Sequence, residues 1–134
     1  IVTILLLVGC SSNVCESPSD KYAFENKMKE LLGNQIEIIN SLKKAEVQIS
    51  YFELPKNINK IESIVSLLEE GGWVLKGKGQ GVNTYCLGKN NRINIVIPTS
   101  GRLYDFKGGK LKRTDYSVNA VLYSYDKWGD DMCE

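Results

Sequence analysis

The feature that most narrows the fold is a change of grammar at Gly71-Gly72. Before it, apolar residues recur at helical spacing in two stretches that bracket a strand-like run. After it, they fall in short segments punctuated by Gly, Asn and Pro. Helices first and antiparallel strands afterwards is an α+β order. The helix before the change is the plainest element: Ile58, Ile61, Ile64, Val65 and Leu68 form one stripe, Asn57 stands where a cap belongs, and the glycine pair supplies a left-handed stop. Upstream of it, "VQISYFELP" is rich in β-branched and aromatic residues and closes at Pro55, which predicts a strand.

Downstream, "WVLKGKGQGVNTYCLGKNNRINIVIP" reads as three strands, turning at the glycines and again at Lys89-Asn90-Asn91. Ile93, Ile95 and Ile97 alternate with Arg92, Asn94 and Val96, so one face of that strand is expected in the core. "RLYDF" and "KLKRT" form two short arms around Lys107-Gly108-Gly109, and "SVNAVLYSY" is a final strand before the acidic tail "DKWGDDMCE". The expectation is a curved sheet of five or six strands with the Asn57 helix packed on one face. At the other end, Ser17 can cap a helix, Pro18 suits its first position and Asp20 complements its dipole. Phe24, Met28, Leu31 and Leu32 give that helix an apolar face. Gly33-Asn34 interrupts it, but the apolar content of Ile36, Ile38, Ile39 and Leu42 predicts helix to about Ser41.

The chain has 134 residues, enough for one domain with a modest core, and its formal net charge of +1 exerts no global pull on nucleic acid. Histidine is absent. That removes Ser-His-Asp and Cys-His catalysis, imidazole bases and every zinc site with a His ligand. No CxxC pair exists, so neither a metal ion nor a cofactor is expected. Gly77-Lys78-Gly79-Gln80-Gly81 has the wrong spacing for a phosphate loop and precedes a strand, which makes it a hairpin turn. Glu69-Glu70 end a helix, on which adjacent residues do not converge, and Asp130-Asp131 in the tail could bind a cation but read as a solvated pair, although carboxylates from distant positions leave a hydrolase as a remote alternative. Trp73 and Trp128 read as packing residues before sugar platforms.

The chain opens "IVTILLLVGCSSNVCESPSDKY". Ile1 to Val8 is apolar except for Thr3, too short for a bilayer span and of the length of a signal-peptide core. Without an initiator Met, the first residues of the leader are expected to precede Ile1. Leu7-Val8-Gly9-Cys10 resembles the lipobox of bacterial lipoproteins. That resemblance implies acylation of Cys10, removal of residues 1–9, and a lipidated N-terminus. Ser11 after the cysteine resembles lipoproteins sent to the outer membrane, where the domain would face the periplasm. Residues 10–20 then serve as lipidated Cys and tether, and 21–134 as a single α+β domain. An N-terminal buried strand is the alternative to this leader.

With Cys10 lipidated, Cys15, Cys86 and Cys133 remain, so at most one intramolecular disulfide forms. Export to an oxidising compartment favours such a bond. Cys86–Cys133 is preferred because Cys15 lies in the tether; Cys15–Cys133, or Cys86 as a plain buried strand residue, are the alternatives.

Charge is uneven. Residues 1–75 carry seven basic and ten acidic side chains, residues 76–125 nine and two, and the last nine one and four. The basic excess falls in the turns, at Lys76, Lys78, Lys89, Arg92, Lys107, Lys110, Lys112 and Arg113. A sheet could gather these at one end beside Tyr85, Tyr104, Tyr116, Tyr123 and Tyr125. Lys76, Lys78, Lys107, Lys110, Lys112 and Arg113 are then candidate partner-binding residues; solvated turns and guarded strand edges are the plainer reading. The expectation is a non-enzymatic, membrane-anchored module that binds another envelope protein or an incoming effector. An immunity protein against an exported toxin and a small-ligand or glycan binder are the alternatives. Nucleic acid is not an expected partner.

Overall fold

The computed structural model describes residues 20–99, 101–112 and 116–134. The lipobox, Cys10, Cys15, Ser17, Pro18 and Arg113 lie outside them. The architecture is α+β: a helix, a strand pair, a second helix, then antiparallel strands.

Helix α1 spans Phe24–Leu32 and buries Phe24, Met28 and Leu32, four residues apart on one face. It does not run to Ser41. Gly33 takes φ 57° and ψ −129°, outside the helical region, and a 3-10 turn over Gly33–Gln35 delivers Ile36 in an extended conformation. The apolar run that mimics a continued helix becomes strand β1, Ile39–Lys43. β-branched residues sit readily on a pleated strand. Strand β2 is Val47–Pro55 and pairs antiparallel with β1. Helix α2 spans Ile61–Glu70 and buries Ile64 and Leu68. Its N-cap is Lys60 and not Asn57, because the Ile58 amide bonds the Pro55 carbonyl and closes a turn that consumes Asn57. The helix ends at Gly71-Gly72 as expected, with Gly72 at φ 90°.

The remaining strands are β3 (Val74–Lys78), β4 (Val82–Leu87), β5 (Asn91–Val96), β6 (Leu103–Tyr104), β7 (Lys110–Leu111) and β8 (Val118–Asp126). Six of the eight described strands form one sheet in the order β1-β2-β8-β5-β4-β3, every neighbouring pair antiparallel. β8, the last in sequence, lies at the centre and pairs with β2 over its full length. β6 and β7 form a separate two-stranded hairpin.

Alternation assigns the faces. Phe52 and Leu54 of β2, Val121 and Tyr123 of β8 and Ile93 and Ile95 of β5 point to one face, where they form the main core with both helices and Trp73. The expectation of one packed helix is therefore exceeded by one. The opposite side of β5 is not solvent-facing either: Val96 joins Val82, Leu103 and Ala120 in a second, smaller core beneath the β6–β7 hairpin.

Candidate functional site

The hairpin is seated by two close approaches. A Cβ on Gly77 would meet Phe106 at 2.4 Å, and one on Gly79 would meet the Tyr104 carbonyl at 2.0 Å. Only glycine lets the backbone of the β3 edge lie so near the hairpin. Gln80 and Tyr104 exchange backbone hydrogen bonds at 2.7 and 3.0 Å. Buried Asp105 shapes the hairpin tip, its Oδ1 accepting the amides of Lys107 at 2.9 Å and Gly109 at 2.8 Å. The acidic tail covers the neighbouring end of the same face. Cys133 is disulfide-bonded to Cys86 of β4, and Asp130 pairs with Arg92 of β5 at 2.9 Å.

These covers lie chiefly over β4 and β5, while Val74 at the start of β3 stays 64% exposed. The β1-β2-β8 half of the second face carries a groove lined by Ser41, Ile49, Tyr51, Ala120 and Leu122, with Glu53 and Lys112 at its margins and a volume of about 450 Å³. Ile39 and Ile49, both 42% exposed, stand on the same half. Ser41 falls where the β1–β2 register shifts between Asn40 and Leu42, a bulge that breaks the alternation of the edge strand beside the groove. Among the described residues, no group of three or more His, Cys, Asp or Glu side chains gathers to hold a metal ion.

The residues singled out in sequence divide into three sets. Lys76 sits at the register shift of β3 and Lys78 ends that strand. Phe106 packs on Gly77 between them, which brings Lys107 of the hairpin to the same edge. Lys107 Nζ then donates to the Asp131 carbonyl at 3.0 Å, so the acidic tail draws it aside. Lys110 is exposed on β7, paired in register with Tyr104, and Lys112 belongs to the groove margin instead. Tyr104 stands opposite Lys110, but the other tyrosines singled out in sequence are placed elsewhere. Tyr85, Tyr123 and Tyr125 occupy odd positions of β4 and β8 and are buried in the helix-side core, while Tyr116 packs against the smaller core. Burial raises the hydroxyl pKa of Tyr85 and, more strongly, of Tyr123.

The groove itself escaped sequence reasoning, although a signal was present. β2 offers Ile49 and Tyr51 on one parity and Phe52 and Leu54 on the other, and β8 likewise carries Ala120 and Leu122 opposite Val121 and Tyr123. Strands apolar on both faces need a cover on both, and among the described residues the short arms around Gly108 and the acidic tail supply it for the second face.

The chain matches no protein-family model, and no curated protein or solved structure matches it.

Proposed function

We propose that this chain is a lipid-anchored envelope protein whose domain works by docking another protein on the uncovered half of its sheet. One observation carries the docking: the sheet is apolar on both faces, yet among the described residues the hairpin and tail leave the β1-β2 side of the second face uncovered. Exposed Ile39 and Ile49 flank a concave surface with Tyr51 at its floor, a combination of aliphatic and aromatic contact that marks interaction sites. The anchor rests on the lipobox resemblance at Leu7-Val8-Gly9-Cys10. The partner is a resident envelope protein or an effector that enters the envelope, and Lys112 at the margin suits an acidic group on it.

A small-ligand site is the second reading, favoured by the groove volume, which falls in the range of ligand pockets. Ile39→Asp and Ile49→Asp separate the two. Both side chains face solvent, so the variants fold with unchanged melting temperature but place charge in the contact. Loss of a stoichiometric partner and of complementation in a deletion strain supports docking. Retention of both by folded variants overturns it, and melting that rises with a small molecule in wild type alone supports the ligand site.

A further inference from the structure

The chain enters the described fold at Asp20, and the same pole of the sheet presents its most exposed aromatic side chain. Asp20 is held there from three sides. Tyr125 donates its hydroxyl to Oδ1 at 2.8 Å, Asn90 donates to Oδ2 at 2.7 Å, and the Asn91 side-chain amide donates to the carbonyl at 2.8 Å. The Lys89-Asn90 turn that grips Asp20 also anchors the C-terminal tail. Its carbonyls accept the amides of Asp130 at 2.9 Å and Asp126 at 3.0 Å, and the Lys127 amide bonds the Glu46 carbonyl at 2.9 Å. Between these fixed points lies Trp128, its amide held by Asp126 Oδ1 at 2.9 Å and its ring 66% exposed.

An indole turned outward from a floppy tail would mean little. Here the segment is fastened by backbone hydrogen bonds on both sides of the ring, by the Asp130–Arg92 pair and by the Cys86–Cys133 disulfide. The side chain is presented from a rigid platform. The other tryptophan, Trp73, is 3% exposed in the core.

We propose that Trp128 and the surrounding pole contact the lipid headgroup region beside the acyl anchor and orient the domain on the membrane. The inference rests on lipidation of Cys10. The ten residue-to-residue steps from Cys10 to Asp20 reach at most about 35 Å even when fully extended, so the anchor holds this pole within that distance of the bilayer. Tryptophan favours the membrane–water interface, where its apolar ring is buried and its N–H stays wet. Lys44, Lys89 and Lys127 ring the pole with long stems suited to headgroup level, and Lys127 Nζ lies 6.0 Å from the Trp128 ring centroid. Glu46, Asp126, Asp131 and Glu134 share that pole, so it is of mixed charge and the contact depends on the indole more than on anionic lipid. The strands run away from this pole, and the groove on their second face opens sideways to a partner.

The test uses the full acylated chain, its mass verified, reconstituted in vesicles of phosphatidylethanolamine and phosphatidylglycerol. Trp73→Phe leaves Trp128 as the sole reporter, and Trp73 Nε1 has no hydrogen-bond partner to lose. If that variant folds poorly, the wild-type spectrum minus that of Trp128→Phe gives the same signal. Trp128 emission is expected to shift to shorter wavelength relative to the soluble Cys10→Ser chain. It is also expected to be quenched by lipids brominated near the headgroup, to become shielded from aqueous acrylamide, and to keep all three properties at high salt. An acylated, vesicle-bound chain whose Trp128 stays open to acrylamide and blind to bromolipid overturns the contact while leaving the anchor standing. A chain that is never acylated when made in an exporting cell overturns the anchor and the contact with it.

Discussion

The Tyr123 hydroxyl donates to Asn91 Oδ1 at 2.6 Å, joining the central strand to the point where the chain enters the fold. The same Asn91 oxygen accepts the Tyr22 amide at 3.0 Å, and its side-chain NH₂ donates to the Asp20 carbonyl. One buried amide on β5 thus ties down two other segments, β8 and the chain entry at Asp20 and Tyr22. Asn91→Ala strands the Tyr22 amide and the Asp20 carbonyl, leaves the Tyr123 hydroxyl with only the Tyr22 carbonyl at 3.3 Å, and is expected to cost about 3 kcal/mol. Tyr123→Phe leaves Asn91 Oδ1 with the Tyr22 amide and should cost about 1 kcal/mol. Urea unfolding of both and of the double variant measures this; equal costs would show that Asn91 acts through the tyrosine alone.

Alkaline pH attacks the same cluster. Burial raises the pKa of Tyr123 and, to a lesser degree, of Tyr22 above the ordinary tyrosine value. The unfolded chain releases these protons first, at about pH 10. Stability contributed by the neutral hydroxyls is therefore complete below that pH and is lost as pH rises through the native values. Tyr123→Phe should flatten the alkaline limb of a stability–pH curve, and an unchanged slope would contradict the assignment.

The acid limb has a different origin. Glu25 is held below the ordinary carboxylate range chiefly by its hydrogen bond to Lys43, with Asn40 donating to it at 3.1 Å, which links α1 to edge strand β1. Its contribution is present above about pH 4.3, the unfolded value, and is lost as pH falls through the native one. The pair is partly exposed, so the effect is small, a few tenths of a kcal/mol to about 1 kcal/mol. Glu25→Gln should lower stability at neutral pH and leave it unchanged at pH 2.

The disulfide closes a separation of 47 residues and is worth about 4 kcal/mol in the chain-entropy model. Cys133→Ser should lose much of that in urea unfolding and raise amide exchange across residues 127–134 while sparing β2. An increase spread evenly over the sheet would mean the tail is not an independent cover.

Gly79 tests the seating of the hairpin. Gly79→Ala drives a methyl into the Tyr104 carbonyl and is expected to cost about 2 kcal/mol or more. Gly88→Ala, with open space around its Cβ but φ at 63°, should cost about 1 kcal/mol. Gly79 is not among the positive-φ glycines, so a loss there no larger than at Gly88 would mean that the hairpin shifts to admit the methyl and is not tightly seated.

Local signals rendered much of this fold readable. Pro55 and the β-branched run before it give β2 to the residue, and the turns at Gly79 and Asn90 divide β3, β4 and β5. Cys86–Cys133, preferred over Cys15–Cys133 because Cys15 lies in the expected tether, is the pairing found. The stretch from Ile36 to Leu42 was misread because its apolar residues suit either period, and only pairing of Ile39 with Tyr51 decides for strand. Asn91 and Asp105 look like ordinary turn residues until tertiary packing buries them. The groove depends on how far a short hairpin reaches across a sheet, a length that no residue pattern encodes.

The docking of a partner on the uncovered half-face is tested most directly by site-specific photo-crosslinking in intact cells. A photoreactive residue is placed in turn at Ile49, at Ile39 and, as a control, at Glu62 on the helix side. The account predicts one discrete adduct, shared by Ile49 and Ile39, absent from Glu62, and abolished when Ile49→Asp is combined with the probe at Ile39. No adduct at the groove, or the same adduct from Glu62, would contradict it.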